Sequence, residues 1–336
     1  MKNRKAIFFT IALIALVGCQ KVVFEPEPKN NPEALFEDLW TTFKTDYAPF
    51  EERGVNWDEQ YQIFRHQVNS STSDEELKNI IKLLLRTLND GHVSFTTPND
   101  NIFYSNITID QRIDDELFDI DLVKSKYMQG DFRENGFGLN TYGWIGDIGY
   151  WHIEAIGENM LEFDDILNHF ESATGLIVDL RHNKGGDFTF ALSEFGRFTD
   201  KEHFVFRSKT KNGKGPDDYT EWYDWSISPA GEYYDKPIVL ITDRYTVSAG
   251  ERTAMAFKTL SNVTHIGDTT NGAIATKIAK ELANGWFYTI VTQKTEFADG
   301  ISYEGIGLIP DISIKNTIGE INSEQDKTLE KAIDQF

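Results

Sequence analysis

Cysteine is nearly missing from this chain, with one among 336 residues. That excludes an intrachain disulfide and a zinc site built on cysteines. Positive charge is also scarce. Lys and Arg total 33 against 54 Asp and Glu, giving a net charge of −21, and no basic patch interrupts the acidic surplus. A surface of that sign repels phosphate backbones, so nucleic acid is not an expected partner. The acidity names no partner by itself. Sequence repeats are absent too. What remains is ordinary for a globular chain. Hydrophobic residues are 40% and charged residues 26%, which excludes wholesale disorder and a polytopic membrane protein. The 24 Phe, 13 Tyr and 7 Trp can fill a sizeable core, and the length suggests about two domains.

Residues 1–18 read MKNRKAIFFTIALIALVG. Lys2, Arg4 and Lys5 precede an apolar stretch from Ala6 to Val17, broken only by Thr10. This is too short to span a bilayer and reads as an export signal. The single cysteine follows in Leu16-Val17-Gly18-Cys19, the pattern of a bacterial lipoprotein signal in which Cys19 is lipidated and becomes the new N-terminus. An ordinary export signal with an incidental cysteine is the alternative. Residues 19–31 are polar and Pro-bearing and read as a flexible tether. The expected location is the cell envelope, anchored in the lipid bilayer through the acylated cysteine. Gln20, in place of Asp, favours the outer membrane, periplasmic or surface-facing.

Residues 32–95 read as a small helical domain. Pro32 suits a first turn, and Leu35, Phe36, Leu39, Trp40 and Phe43 recur at helical spacing. A second helix is expected from Trp57 to Val68. Ser73 and Glu76 form a capping box before Leu77, Ile80, Ile81, Leu84, Leu85 and Leu88. The pattern stops at the turn Asn89-Asp90-Gly91. Residues 96–140 read as short connecting strands, Asn106 to Ile109 among them. From 141 to 336 strands alternate with helices: Gly149–Ile153, the helix around Met160 to Phe170, the unbroken apolar run Leu176–Leu180, then Phe188–Phe198, Ile238–Thr242, Ser248–Leu260 and Val263–Ile266. Repeated βα units imply a mostly parallel sheet covered by helices, an α/β class. Residues 284–303 read as a hairpin turning at Ala298-Asp299-Gly300. The segment 209–236 is polar and aromatic, long enough for a functional loop or a surface excursion.

Four segments could carry chemistry. Ser248 follows an apolar strand and opens a helix, which projects its hydroxyl from the carboxyl edge of the sheet beside free helix N–H groups. Ser248 with Glu251 is equally a capping box. Asp179-Leu180-Arg181-His182-Asn183-Lys184-Gly185-Gly186 ends a buried strand in two glycines that let the backbone approach a ligand; alternatively it is a plain βα turn. His92 lies in a turn, where a lone His is often surface decoration. Glu304 could orient a catalytic group or decorate an exposed turn before Gly307–Asp311.

In this order, Asp90 to His92, Asp179 to Gly186, Ser248 to Glu251 and Gly307 to Asp311 resemble the tail-specific (C-terminal processing) serine peptidase family. The resemblance covers roughly residues 32–315. It implies an αβα crotonase/ClpP-like core behind a helical cap, acting on polypeptides. One branch of the family uses a Lys base beyond the Ser; Ala273 occupies that place here, with Lys277 and Lys280 out of register. The chain therefore looks like the tricorn-like branch, in which His92 matches the base, Ser248 the nucleophile and Glu304 a supporting Glu. That branch has a Ser before the His, where this chain has Gly91; Asp90, Ser94 or a water would then orient His92. Many relatives carry a PDZ domain, for which 93–140 is too short, so the resemblance leaves substrate selection to another element such as 209–236.

The chemistry implied is that of an activated serine. A hydroxyl becomes nucleophilic when a base takes its proton, and imidazole, with an ordinary pKa of about 6.5, suits that role. The N–H of Ala249 with that of Gly185 or Gly186 would form the oxyanion hole. No metal and no cofactor are called for. A catalytically inactive relative that binds peptides or other ligands in the same groove is the alternative, and an esterase or amidase would use the same groups.

Overall fold

The computed structural model describes residues 29–336. The expected export signal, Cys19 and most of the expected tether lie outside the described residues. The Asn31 side chain accepts the Ala34 N–H (3.0 Å) and caps the helix Pro32–Asp46. That helix buries Leu35, Phe36, Leu39 and Phe43 on one face. Trp57–Phe64 follows, and Asp74–Arg86 begins at the Ser73–Glu76 capping box expected from the sequence.

The strands are β1 (Ser94–Thr96), β2 (Phe103–Tyr104), β3 (Phe132–Asn135), β4 (Asn140–Ile145), β5 (Ile148–Ile153), β6 (Leu176–Asp179), β7 (His203–Thr210), β8 (Tyr223–Ile227), β9 (Ile238–Thr242), β10 (Val263–Gly267), β11 (Lys277–Glu281), β12 (Phe287–Val291), β13 (Gln293–Phe297) and β14 (Ile312–Ser313). The main sheet runs β14-β10-β9-β6-β5-β4-β3, parallel from β14 to β5 and antiparallel at β4 and β3. Alternate residues serve opposite faces, as strand geometry requires. Leu176, Val178, Ile238 and Leu240 pack with Phe163, Phe195, Phe198 and Phe257 on one side. Ile177, Val239 and Ile241 pack with Leu329 and Ala332 of the C-terminal helix on the other. Burial on both faces explains the unbroken apolar runs and gives the αβα layering.

Three expectations are corrected. Residues 107–111 form a helix, because the Asn106 side chain accepts the Ile109 N–H (3.1 Å) and caps it. The rest of 96–140 holds the short strands β2 and β3 among helical turns and loops, and β3 and β4 belong to the main sheet. The hairpin is β11–β12, turning near Asn284–Gly285, whereas β13 pairs with β7. The turn at Ala298–Gly300 exists but does not join paired strands. The β11–β12 hairpin also joins β1 and β2 in one sheet, and Trp286, Tyr288, Ile290 and Val291 complete the core of the N-terminal helices. The helical unit is therefore built from two distant stretches of chain. Lastly, 209–236 is mostly the outer part of the β7–β8 hairpin.

Candidate active site

Ser248 sits where β9 gives way to the helix Ala249–Lys258. The loop between them is wound around Asp243, whose Oδ1 accepts the N–H groups of Tyr245 (2.9 Å), Thr246 (3.0 Å) and His182 (3.1 Å). Ser248 itself has φ 60° and ψ −117°. That conformation is costly for a residue with a Cβ, and such strain at a strand-to-helix turn is how a nucleophile elbow lifts a side chain out of the sheet. Glu251 reaches back to the Ser248 N–H (3.1 Å), as a capping box requires. It does more than cap. Its fully buried carboxylate also accepts the Thr270 hydroxyl (2.6 Å) and the N–H groups of Gly272 (2.7 Å) and Ala273 (3.0 Å), locking the elbow to the segment after β10. Burial pushes its pKa up to about 7, against these donors.

The glycine turn after β6 lies against the elbow. Gly185 has φ +74°, and a Cβ there would stand 2.7 Å from the Ser248 Cβ. A Cβ on Gly186, at φ +137°, would stand 1.9 Å from the Ile156 carbonyl oxygen. Only glycine fits either place. The Gly185 N–H is already spent on the Asn183 side chain (3.0 Å). Among the described residues, the N–H groups of Gly186 and Ala249 have no acceptor, so these two remain to meet an oxyanion. Asp179 and Arg181 play another part. Arg181 binds Asp179 (2.5 Å) and Asp326 (2.9 Å), and Tyr150 donates to Asp179 (2.8 Å), which fastens the strand end to the start of the C-terminal helix.

His92 is placed by its turn. The Asp90 carboxylate accepts the His92 N–H (2.8 Å) and the Tyr47 hydroxyl (2.7 Å). Thr289 of β12 donates to the His92 carbonyl (2.6 Å). The imidazole is 3% exposed. Its pKa falls to about 3, chiefly through burial, with Lys277 and Arg252 adding and Asp90 and the Ala275 carbonyl opposing. Its Nδ1 has no hydrogen-bond partner among the described residues. Of the three orienting candidates, Asp90 holds the backbone, and the Ser94 hydroxyl pairs with Thr289 (2.8 Å). Gly91 has no room for a side chain: a Cβ would stand 2.5 Å from Asn271 Oδ1 and 3.1 Å from the Ala273 Cβ.

Glu304 bonds to neither Ser248 nor the imidazole. Its Oε1 accepts from Arg53 (2.5 Å) and its Oε2 accepts the N–H groups of Ile274 (3.0 Å) and Ala275 (2.9 Å). It therefore fixes the strand of backbone that the imidazole faces. Burial raises its pKa to about 7, opposed by Arg53. Arg53, which the sequence did not single out, joins the two halves of the site. It donates to the carbonyls of Asn89 (2.7 Å) and Gly272 (2.6 Å) and lies 3.4 Å from Asp90. No local pattern marks it; its partners are distant in the chain.

Ser248 and His92 line one open cleft of about 1360 Å³, together with Gly91 and Gly186. No hydrogen bond joins them in this structure, and catalytic contacts often tighten only around substrate. Ile102, Tyr104, Ile109 and Phe118 supply part of its wall, so the segment expected merely to connect shapes the site. No residue of 209–236 lines it. Among the described residues no cluster of metal ligands is found and no helix is long and apolar enough to cross a membrane.

Residues 147–314 match Peptidase family S41, and residues 28–86 match the tricorn protease C1 domain. The chain is 30% identical over 169 residues to the carboxy-terminal processing protease CtpA of Bacillus subtilis, covering 49% of this chain and 34% of that protein. It is 26% identical over 158 residues to the nisin-resistance protein of Lactococcus lactis, covering 44% of this chain and 48% of that one. The chain thus spans less than half of the curated relatives it matches. A solved peptidase structure from Parabacteroides merdae superposes with a TM-score of 0.82 at 25% identity, over 91% of this chain and 97% of that one. With the family match extending over the sheet, the serine elbow and the closing Gly-x-x-Pro-Asp, this chain belongs to the S41 peptidases, the tail-specific protease family.

Proposed function

We propose that the chain is a serine peptidase hydrolysing peptide bonds in exported polypeptides, with Ser248 as nucleophile and His92 as general base. The observation that carries this is the strained elbow at Ser248, packed against Gly185 and open to the same cleft as a buried imidazole. Burial lowers its pKa to about 3, so His92 is neutral at pH 7, and its proton affinity must rise as the oxyanion develops for it to act as base. In the reaction the Ser248 oxygen bonds to the substrate carbonyl carbon as its proton passes to the imidazole. The carbonyl oxygen becomes an oxyanion held by the Gly186 and Ala249 N–H groups. The imidazolium then protonates the leaving amine, the C–N bond breaks and an acyl-enzyme remains. Water, deprotonated by the same imidazole, releases the acid and restores Ser248. Burial disfavours an isolated imidazolium, so its charge is best tolerated while the oxyanion is present. Glu304 acts as a positioning residue through the Ile274–Ala275 backbone. In this proposal Cys19 carries the acyl anchor and the enzyme works in the cell envelope.

A fluorophosphonate probe tests the assignment. Wild type is expected to label and Ser248→Ala not to. Ser248→Ala and His92→Ala are each expected to abolish peptide hydrolysis while leaving the fold intact. Normal turnover in His92→Ala would refute the His-dependent mechanism. The missing Ser–His hydrogen bond favours one second reading, an inactive binding relative; failure of the wild type to label would select it.

A further inference from the structure

Three arginines are fully enclosed around the site, and burying a guanidinium costs several kcal/mol unless it is paired. Arg181 has Asp179 and Asp326, and Arg53 has Asp90 and Glu304. Arg252 has no carboxylate within ion-pair distance among the described residues, although it is only 1% exposed. It stands one turn along the helix that Ser248 opens. Its Nε donates to the Ile274 carbonyl (3.1 Å) and its NH2 to Gln293 (2.5 Å), while NH1 is buried with no partner. Phe188 and Phe206 lie 4.2 and 5.0 Å from the guanidinium carbon, so hydrogen bonding is left to its edge. Burial lowers its pKa to about 10, opposed by the charges of Glu304 and Glu251 from beyond ion-pair distance.

The cleft has five basic side chains along its wall: Arg112, Lys124, Lys184, Arg252 and Lys277. Arg112 is paired with Asp115, Lys124 with Asp121 and Glu134, and Lys184 with Glu154. Arg252 and Lys277 are unpaired among the described residues. Both line the same cleft as Ser248 and His92, and Arg252 stands one helical turn from Ser248. The half-buried Phe188 lines the cleft over the guanidinium.

From this we infer that Arg252 and Lys277 form a subsite beside Ser248 that recognises a carboxylate of the polypeptide substrate, either an acidic side chain or the terminal α-carboxylate. Lys277, unpaired at the start of β11, meets the carboxylate first. As Phe188 turns aside, the carboxylate accepts from Arg252 NH1 and supplies a counter-charge in direct contact. A hydrogen bond to a charged partner of this kind discriminates about tenfold to a hundredfold. The inference rests on the peptidase reading but names what that reading leaves open.

The test uses matched peptides that differ in one group: internal Glu against Gln with an amidated end, and free acid against amide with internal Gln. Binding is measured on Ser248→Ala by titration calorimetry, and kcat/KM on wild type. Selectivity of about ten- to a hundredfold in either pair supports the subsite and assigns the source of the carboxylate. Lys277→Gln and Arg252→Met, checked by thermal unfolding, should each reduce that ratio; Lys277 is exposed, so its variant remains informative if Arg252→Met fails to fold. Equal binding of both members of both pairs overturns the inference. If selectivity appears but the fluorophosphonate probe never labels wild type, the subsite stands and the peptidase reading falls. Labelling without selectivity gives the reverse.

Discussion

Replacing Arg53 by Met removes a side chain that touches both halves of the site. Its guanidinium is paired with Glu304 at 2.5 Å and Asp90 at 3.4 Å, with all three side chains at most 4% exposed. Deleting one partner of a buried pair leaves uncompensated charge, at a cost of about 3–5 kcal/mol. The carbonyls of Asn89 and Gly272 lose donors as well. At roughly 2–4 °C per kcal/mol for a chain somewhat shorter than this one, Tm should fall by about 6–20 °C. Scanning calorimetry measures this directly. Adding Glu304→Gln to Arg53→Met neutralises one stranded acid and should recover part of the loss, a gain that simple loss of packing does not predict. Peptidase turnover should fall through kcat more than KM, because Arg53 sets the Asn89–His92 turn rather than a substrate contact. A Tm within about 2 °C of wild type would refute the argument that this triad holds His92 against the sheet.

Gly185→Ala should lower kcat/KM by about a hundredfold or more, since it forces a Cβ to within 2.7 Å of the Ser248 Cβ at a φ that disfavours it; wild-type turnover in that variant would dissociate the glycine turn from the site. Glu251 has its pKa raised from 4.5 to about 7 by burial. Between those values the folded state holds a proton that the unfolded state has released, so its contribution to stability falls as pH rises through that window. Urea unfolding at both ends should find the wild type losing more stability than Glu251→Gln, and parallel losses would contradict the assignment. His92 acts in the opposite sense: its pKa is lowered from 6.5 to about 3, so its contribution is lost as pH falls from 6.5 towards 3. Below pH 6.5 the wild type should lose stability faster than His92→Gln, which unfolding curves at several pH values would check.

Local signals read best where one physical rule dominated. Ser73 with Glu76 caps a helix whose apolar residues share a face, and the prediction and the structure agree there. The doubly buried strands announced themselves by losing alternation. Reading failed where two rules competed. Asn106–Ile109 alternates like a strand, yet Asn106 is also an N-cap, and the cap prevailed. Asn284-Gly285 and Asp299-Gly300 are both turn signals; pairing decided between them, because β13 found β7 while β12 found β1.

By itself the sequence determined the layered sheet, the serine at a strand-to-helix junction and the glycines beside it, because periodicity, capping and backbone freedom act over a few residues. Tertiary structure alone decided that His92 shares a cleft with Ser248, that Glu304 serves Arg53 rather than the imidazole, and that Arg252 is left without an acid. Those outcomes are pairings of charges and buried groups across the chain, 251 residues apart in the case of Arg53 and Glu304. The cost of burying a charge depends on what folding brings beside it, and no local pattern records that.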